Sequence, residues 1–378
     1  MELQVKKRLE SLDVLRGFDL FCLLALETTL HPLANALKSP VFNDFMWAFT
    51  HVSWEGFSSW DLVMPLFLFM SGITIPFSLS RVKSSGSGKL QVYKRVLKRF
   101  AILWILGMIC QGNLLALDAG RIYLFSNTLQ AIAVGYLVSA VLYINIRASF
   151  QIAIALALLA VYWLLMQFVT VNGYGGGDYT PQGNLAEYID RLVLGRFRDG
   201  AGTVDGIVVF APWYWYTWIL SSMNFVVTVM SGMFAGEILR SSRPAMRKFY
   251  MLLAIGIASV AAGYLLSFQQ PIIKTIWTST MTLYSSGLCF ILMALFYLWI
   301  DVWGHRKHNT MFKVYGMNSI TGYMLTCAVS FSSIPQSLFF GLQQYTGDFY
   351  PFLIAVADVV IIYLILLWMY KKNIFLKV

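Results

Sequence analysis

The chain has 378 residues, of which 58% are hydrophobic and only 12% are charged. An average soluble domain is about 25% charged, so two soluble domains of this composition would lack the polar surface to cover them. The composition excludes an ordinary soluble enzyme and a disordered chain, and it leaves a polytopic helical membrane protein. We therefore expect an all-α fold in which residues 1–378 form a single transmembrane domain.

Ten apolar runs are long enough to cross a bilayer core, which takes about 20 mostly apolar residues per helix. In chain order they cover residues 14–34, 61–80, 99–117, 128–146, 149–170, 216–239, 249–268, 277–300, 314–331 and 352–370. The N-terminus has no secretory cleavage pattern, so we predict that the first run remains as a span. The sequence GMFAG at 232–236 indicates a close contact between two helices, because its glycines let backbones approach.

The orientation follows from the loops, where 22 of the 28 Lys and Arg residues fall on one side of the predicted membrane. Cytoplasmic loops hold such an excess, so both termini and the loop 81–99 are predicted to be cytoplasmic. The external segments are then 35–60, 171–215 and 332–351. The net charge of +10 is interpreted as this topology signal, and no nucleic-acid partner is expected.

Four ionisable residues lie in the first run, where charges are costly and usually face protein or water. At 100° per residue, Asp13, Arg16, Asp19 and Glu27 fall on one arc of about 120°. A structural ion pair between Asp13 and Arg16 explains part of this arc. Glu27 has no cationic neighbour in its own helix and is a candidate for lining a functional cavity.

The segment WAFTHVSWEGFSSWDL at 47–62 places His51 among tryptophans, just before the second run. Histidine is the side chain most easily poised as a base near neutral pH. A structural histidine within an interfacial aromatic belt is the alternative interpretation. Asp61 opens the second run, where it can cap the helix, orient a histidine or bind a polar substrate.

The cysteines give no sign of a disulfide or a metal site. Cys22, Cys110, Cys289 and Cys327 each lie in an apolar run, and no CxxC pair is present. The motifs HExxH and GxSxG are also missing from the sequence. We therefore expect neither a metal cofactor nor a serine nucleophile.

Several longer motifs occur in order along the chain. They are SLDVLRG at 11–17, HVSWEGF at 51–57, DLVMPLFLFMSG at 61–72, AEYIDRLVLG at 186–195, FVVTVMSGMFAGEIL at 225–239, PIIKTIWTSTMTLYSSG at 271–287 and YGMNSI at 315–320. The ordered set resembles the heparan-alpha-glucosaminide N-acetyltransferase family and its bacterial relatives. The resemblance implies a membrane domain that takes acetyl-CoA from the cytosol and acetylates the amino group of a terminal glucosamine on the far side. It implies that His51 is the central catalytic group, and it suggests a homodimer.

Two departures from the family pattern refine this expectation. The chain begins directly at the shared membrane domain, which suggests a bacterial member in the inner (plasma) membrane. Glu27 stands where members of the family have an asparagine in the first shared span. The expected acceptor is therefore free glucosamine or a glucosamine-containing glycan, and not heparan sulfate.

Acetyl-CoA needs fixed cations for its phosphates and polar groups along its pantetheine arm. Lys98 and Arg99 stand at the cytoplasmic end of the third run, and Arg16 is a further candidate. Asn318 and Ser319 lie near the membrane interior, where they either line the path of the pantetheine arm or form hydrogen bonds between helices.

The sequence leaves the mechanism and two rival functions open. His51 can act as a general base on the amine or accept the acetyl group as a nucleophile, while Glu27 or Asp61 orients the imidazole or holds the amino sugar. The rivals are a sugar transporter without acyl chemistry and an O-acyltransferase that modifies a surface glycan. The inverted repeat typical of many transporters is not visible in the sequence.

Overall fold

The computed structural model describes residues 9–85, 88–112, 114–307 and 309–376. The longer α-helices are Glu10–Phe21, Glu27–Leu37, Val63–Ser85, Lys89–Cys110, Thr128–Asn145, Ala148–Phe168, Leu185–Leu194, Ser222–Arg240, Ala245–Leu266, Ser279–Phe296, Ser319–Ala328 and Tyr350–Lys371. Shorter α-helices are Pro40–Met46, Thr310–Met317, Ser333–Leu338 and Gln343–Thr346, and π-helical turns are Cys22–Leu26 and Tyr297–Val302. Turns of 3₁₀-helix are Trp47–Phe49, Ser59–Leu62, Leu114–Ala116, Ala119–Arg121, Gly195–Phe197, Phe340–Leu342 and Gly347–Phe349.

The β-strands among the described residues form two antiparallel hairpins. The first pairs Thr170–Val171 with Tyr174–Gly175, and Thr170 lies opposite Gly175. The second pairs Ala201–Val204 with Ile207–Phe210, and Ala201 lies opposite Phe210. Both hairpins fall in the predicted segment 171–215 or at its edge.

Eight helical segments among the described residues are long and apolar enough to cross a membrane. They are Glu10–Leu37, Ser59–Ser85, Thr128–Asn145, Ala148–Phe168, Ser222–Arg240, Ala245–Leu266, Ser279–Val302 and Phe340–Lys371. Helices of this length satisfy their own backbone hydrogen bonds, which a bilayer core requires. The prediction of an all-α polytopic membrane protein is confirmed.

The other two predicted spans have a different form. The run 99–117 is helical only up to Cys110, where the helix Lys89–Cys110 ends, and the first three turns of that helix, which precede the run, are rich in Lys and Arg. The run 314–331 is divided into the helices Thr310–Met317 and Ser319–Ala328. The break falls at Asn318, whose backbone has φ −122° and ψ 34°.

Much of the predicted cytoplasmic loop 81–99 is helical, because the helices Val63–Ser85 and Lys89–Cys110 extend into it from both sides. Residues 86–87, in the middle of that loop, lie outside the described residues. So do residues 1–8, which hold part of the cationic cluster that underlies the predicted orientation.

One compact unit comprises residues 9–50, 243–253 and 291–376. Its helices Glu10–Phe21 and Thr310–Met317 touch along their backbones, since a Cβ atom at Gly17 would lie 1.6 Å from the carbonyl oxygen of Phe312. Beside this contact the ring of Phe18 lies 5.6 Å from that of Phe296 and 5.9 Å from that of Phe312. Small residues and edge-to-face aromatic rings thus hold this unit together.

The π-helical turn in the same unit changes the geometry of the first predicted span. Asp13, Arg16 and Asp19 lie in the regular helix Glu10–Phe21. The turn Cys22–Leu26 follows, and a π turn widens the helix and shifts the angular position of every later side chain. The uniform 100° spacing that places Glu27 on the arc of the other three therefore does not hold beyond Phe21.

The second compact unit comprises residues 51–242 and 254–290, and its centre is the contact between the helices Val63–Ser85 and Ser222–Arg240. A Cβ atom at Gly232 would lie 1.8 Å from the carbonyl oxygen of Phe69, and one at Gly72 would lie 1.9 Å from that of Val229. One at Gly236 would lie 2.5 Å from another helix carbonyl. The close helix contact predicted from GMFAG is confirmed.

Substitution of Gly232 by valine is expected to destabilise this contact strongly. The added side chain meets a backbone carbonyl, so the two helices must separate, whereas ordinary overpacking already costs about 1–3 kcal/mol. The expected result is a clearly lower Tm of the detergent-solubilised protein. Gly202→Val is the matched control, because a Cβ atom at Gly202 meets nothing within 4 Å. Equal melting of the two variants would contradict this account.

Candidate functional site

The imidazole of His51 and the carboxylate of Asp61 form the core of a candidate site within the second unit. His51 Nδ1 lies 2.8 Å from Asp61 Oδ1. The Asp61 side chain is 2% exposed, whereas that of His51 is 44% exposed. A buried carboxylate thus holds one ring nitrogen of a side chain that is itself well exposed.

Asp61 is fixed in place because it also caps a helix. Ser58 donates hydrogen bonds to Asp61 Oδ2 from its backbone nitrogen at 3.0 Å and from its hydroxyl at 3.1 Å. The two residues form a reciprocal capping box at the start of Ser59–Leu62, which leads into the helix Val63–Ser85. Two of the three roles considered for Asp61 from sequence, capping the helix and contacting a histidine, therefore occur together in this geometry.

The ammonium group of Lys274 is the third member of the cluster. Its Nζ lies 3.2 Å from Asp61 Oδ1 and 3.0 Å from His51 Nδ1, and its side chain is 10% exposed. A buried ammonium needs a compensating anion, and Asp61 supplies it. The cluster therefore contains one anion, one cation and one titratable ring in mutual contact.

The segment that carries Lys274 is tied to the segment that follows His51. Gly56 donates its backbone N–H to Ile272 at 2.9 Å, and Glu55 and Ile273 form an isolated β-bridge. The Thr278 hydroxyl accepts from the Ile273 nitrogen at 3.1 Å and donates to the Pro271 carbonyl at 2.9 Å. These bonds set the position of Lys274 relative to His51.

The arrangement favours one tautomer of His51. A carboxylate accepts hydrogen bonds and a Lys ammonium donates them, so Nδ1–H donating to Asp61 satisfies the shortest contact of the ring. Nε2 then carries the lone pair, with Lys274 Nζ 3.5 Å away, on a side chain that is 44% exposed. A ring in this state can remove a proton from a substrate or attack an electrophilic carbonyl.

Aromatic side chains form a wall near this cluster. The indole Nε1 of Trp54 donates to the carbonyl of Tyr179 at 3.0 Å, and the Trp54 ring meets the ring of Trp215 edge-on at 5.8 Å and 87°. Trp54 and Tyr179 pack on an apolar cluster that includes Ile273. The wall and the segment of Lys274 therefore share one core.

A buried polar network supports the motif AEYIDRLVLG. Arg198, with a fully buried side chain, donates to Glu187 and to the carbonyl of Tyr214. Asp190 accepts hydrogen bonds from the backbone nitrogens of Trp218 at 2.8 Å and Ile219 at 2.9 Å. These contacts join the helix Leu185–Leu194 to the start of the segment that leads to Ser222–Arg240.

The stability of this region is expected to depend on pH through Asp190. Burial raises the pKa of Asp190 from 3.8 to about 7, against the opposing effect of its two backbone hydrogen bonds. Between about pH 4 and pH 7 the folded chain therefore binds more protons than the unfolded chain. The free energy of unfolding falls as pH rises through this window, by at most about 1.4 kcal/mol per pH unit. Above about pH 7 Asp190 is ionised in both states and no longer makes the free energy of unfolding depend on pH.

Asp190→Asn removes this titration, so the variant tests it directly. We expect the Tm of the wild type, relative to that of Asp190→Asn, to be higher at pH 5 than at pH 8. The measurement is a thermal melt of both proteins in the same detergent across that range. A Tm difference that does not vary with pH would show that the carboxyl of Asp190 titrates alike in the folded and unfolded chains.

The remaining residues singled out from sequence lie elsewhere in the two units. Glu27 and Arg16, both half-buried, belong to the first unit. In the second unit Lys98 is exposed, whereas Arg99 is half-buried with its guanidinium 3.9 Å above the ring centre of Tyr136. Arg99 thus interacts with an aromatic face in a way that Lys98 does not.

Asn318 and Ser319 lie in the first unit, at the break between the helices Thr310–Met317 and Ser319–Ala328. Asn318 is 2% exposed, and within the described part of the chain neither polar atom of its side chain has a hydrogen-bond partner. Ser319 is half-buried. Buried amides are normally paired, and the interhelical hydrogen bond considered from sequence is not made by the Asn318 side chain among the described residues.

The residues described by the structure include no group of three or more His, Cys, Asp or Glu side chains arranged to hold a metal ion.

Sequence reasoning missed Lys274, which it counted only as a charge. The available signal was its setting, because a lysine on the charge-poor side of the membrane that is flanked by apolar residues in PIIKTIW is unusual enough to need a partner.

Comparison with known proteins gives two related sequences and no matching family model. The chain is 27% identical over 329 residues to the heparan-alpha-glucosaminide N-acetyltransferase of Homo sapiens, covering 74% of this chain and 48% of that protein. It is 28% identical over 334 residues to the protein of the same name from Mus musculus, covering 74% and 49%. The chain therefore spans about half the length of the curated relatives it matches.

Proposed function

We propose that the protein is a transmembrane acetyltransferase that transfers the acetyl group of acetyl-CoA to the amino group of glucosamine or of a terminal glucosamine residue. The observation that carries this proposal is the contact between His51, Asp61 and Lys274, in which the His51 side chain stays 44% exposed. The similarity to two N-acetyltransferases over 74% of the chain supports the type of reaction.

In the first route His51 acts as a general base. Nε2 of His51 takes a proton from the acceptor amine while the amine nitrogen attacks the carbonyl carbon of the thioester. The C–S bond of the tetrahedral intermediate then breaks, and the departing CoA thiolate takes the proton from the imidazolium of His51. Asp61 stabilises the imidazolium that forms between these steps.

In the second route Nε2 attacks the thioester itself and forms an acetyl-imidazole, with loss of CoA as the thiolate. The acceptor amine then attacks this intermediate, the neutral imidazole of His51 departs, and the proton of the amine passes to the CoA thiolate. Both routes need a neutral imidazole with a free lone pair. Lys274 serves both, because its ammonium lies 3.2 Å from Asp61 Oδ1 and compensates the buried carboxylate that holds the ring.

The donor is proposed to dock from the cytoplasm, with cations at the cytoplasmic ends of the helices near its phosphates. Lys98, Arg99 and Arg16 are the candidates for these contacts. Asn318 and Ser319 are proposed to bind the amides of the pantetheine arm, a role supported by the unpaired buried side chain of Asn318. Glu27 is proposed to face the acceptor.

The setting proposed for this reaction is the inner (plasma) membrane of a bacterium, with both termini in the cytoplasm and His51 near the external face. The charge asymmetry of the loops supports this orientation. A homodimer is proposed from the family resemblance, and the mass of the purified protein in detergent tests it.

The test of the proposed function is release of thiol from acetyl-CoA by the purified, detergent-solubilised protein. We expect release that depends on glucosamine and an amide product, N-acetylglucosamine, in equal amount. An ester product would favour the O-acyltransferase instead. Uptake of glucosamine into proteoliposomes without any thiol release would identify a transporter and overturn the proposal.

A further inference from the structure

The wall beside His51 contains two tryptophans whose positions are fixed from several directions. Trp54, only three residues after His51, donates from Nε1 to the Tyr179 carbonyl at 3.0 Å. Trp215 donates from Nε1 to the Pro212 carbonyl at 2.7 Å. The two rings meet at 5.8 Å and 87°, and both side chains are half-buried. Two indole faces therefore form a rigid corner that is partly accessible.

The support of this corner extends into the core of the same unit. The Tyr179 hydroxyl accepts from the Gln270 side chain at 3.2 Å and donates to the Gln167 side chain at 3.3 Å. Gln270, 1% exposed, also accepts from the backbone nitrogen of Ser279 at 3.0 Å. The ring of Trp54 is thus held in place by a chain of hydrogen bonds before a ligand binds. Little side-chain entropy is therefore lost when a ligand packs against it.

The use of the indole nitrogens indicates what these rings do. A tryptophan that anchors a protein at a membrane surface points its N–H toward water and headgroups. Here both N–H groups donate to carbonyls of the protein itself. The rings therefore present apolar faces and not polar edges, which favours a flat or weakly polar ligand surface in contact with them.

A charged residue adjoins the corner. Glu55 follows Trp54 directly, is exposed, and pairs through its backbone with Ile273, the neighbour of Lys274. This bridge puts Glu55 beside the segment of the His51 cluster. A carboxylate at this position forms charge-assisted hydrogen bonds with an ammonium or amine, and it offers less to a neutral hydroxyl.

We propose that Trp54, Trp215 and Glu55 form the acceptor subsite, which selects an aminohexose in its pyranose form. The face of a pyranose ring that carries axial C–H bonds is apolar and packs on an indole face, while the amino group of the sugar reaches the Glu55 carboxylate and the exposed side chain of His51. This inference rests on the proposed acetyl transfer and deepens it, because it assigns the residues that choose the acceptor.

The test compares Trp54→Ala with Trp54→Phe and Trp213→Ala. Trp213 is a matched control, since it lies in the same loop as Trp215 and is 69% exposed. In Trp54→Ala we expect the KM for glucosamine to rise about tenfold, which matches the usual scale of one aromatic contact, with the KM for acetyl-CoA unchanged. Trp54→Phe should recover part of this loss, and Trp213→Ala should behave as the wild type.

Glu55→Gln separates recognition of the amine from stacking of the ring. We expect it to raise the KM for glucosamine several-fold and to leave acetyl-CoA unaffected. If Glu55→Gln has the same KM as the wild type, Glu55 is not part of the subsite and the assignment is overturned in that respect.

Direct titration of glucosamine into the protein without acetyl-CoA distinguishes failure of the subsite from failure of the proposed function. Binding by the wild type that is weakened in Trp54→Ala supports the subsite, even if no acetyl group is transferred. Transfer by the wild type with an unchanged KM for glucosamine in Trp54→Ala overturns the subsite and leaves the proposed function intact.

Discussion

Replacement of His51 by alanine is expected to reduce the turnover of acetyl transfer to glucosamine by a factor on the order of 10²–10⁴. Nε2 of this ring takes the proton of the amine in the first route and the acetyl group in the second. Its side chain is 44% exposed, so its removal creates no core cavity. The variant should therefore fold and melt nearly as the wild type does.

The measurement is kcat from glucosamine-dependent thiol release at saturating acetyl-CoA. His31→Ala is the control, because His31 is also an exposed histidine and contributes nothing to the cluster of His51. We expect this control to retain wild-type turnover. A folded His51→Ala protein that turned over as fast as the wild type would exclude both routes.

Replacement of Asp61 by asparagine is expected to impair both activity and stability. The carboxamide is neutral, so it no longer stabilises an imidazolium, and its NH₂ group can impose the wrong tautomer on His51. In a catalytic triad the corresponding change lowers turnover by about 10⁴, and we expect a loss between about 10² and 10⁴ here. Lys274 also loses its anion, and breaking a buried pair costs about 3–5 kcal/mol.

A double variant separates these two effects. Asp61→Asn combined with Lys274→Met removes the buried cation together with its partner, and replacement of a whole buried pair is often close to neutral for stability. We expect the double variant to recover most of the lost Tm and to remain as inactive as Asp61→Asn. Recovery of activity together with stability would mean that Asp61 serves the fold alone.

Much of the architecture can be predicted from the sequence, because the bilayer imposes simple requirements on length and polarity. The apolar runs gave the class of fold, and GMFAG gave a helix contact that Gly232 and Gly236 make. For Asp61 the sequence suggested three alternatives, a helix cap, a partner for a histidine and a group that binds a polar substrate, and the first two are seen together. These predictions depend on local patterns of a few residues.

The features that the sequence did not give depend on contacts between distant segments or on irregular backbone. Lys274 is 223 residues from His51, and no local pattern connects the two. The π-helical turn Cys22–Leu26 shifts Glu27, because a periodicity of 100° presumes regular α-helix. The division of the run 314–331 at Asn318 is also hidden, since the residues on both sides are apolar or small.

The roles of Trp54 and Trp215 illustrate the same limit at the level of the site. Sequence shows tryptophans near His51 and suggests an interfacial aromatic belt. Only the hydrogen bonds of their indole nitrogens, to the carbonyls of Tyr179 and Pro212, distinguish a ligand-binding surface from a membrane anchor. The first of these bonds joins segments that are 125 residues apart in sequence.

The most direct test of transmembrane acetyl transfer uses sealed proteoliposomes that contain the wild-type protein. Acetyl-CoA with an isotopically labelled acetyl group is enclosed inside, glucosamine is supplied outside, and the external solution is analysed by mass spectrometry. We predict labelled N-acetylglucosamine outside, with CoA retained inside, and none of this product in vesicles that contain His51→Ala. Vesicles of active protein that yield no labelled product outside, or that yield it equally with His51→Ala, would contradict the account.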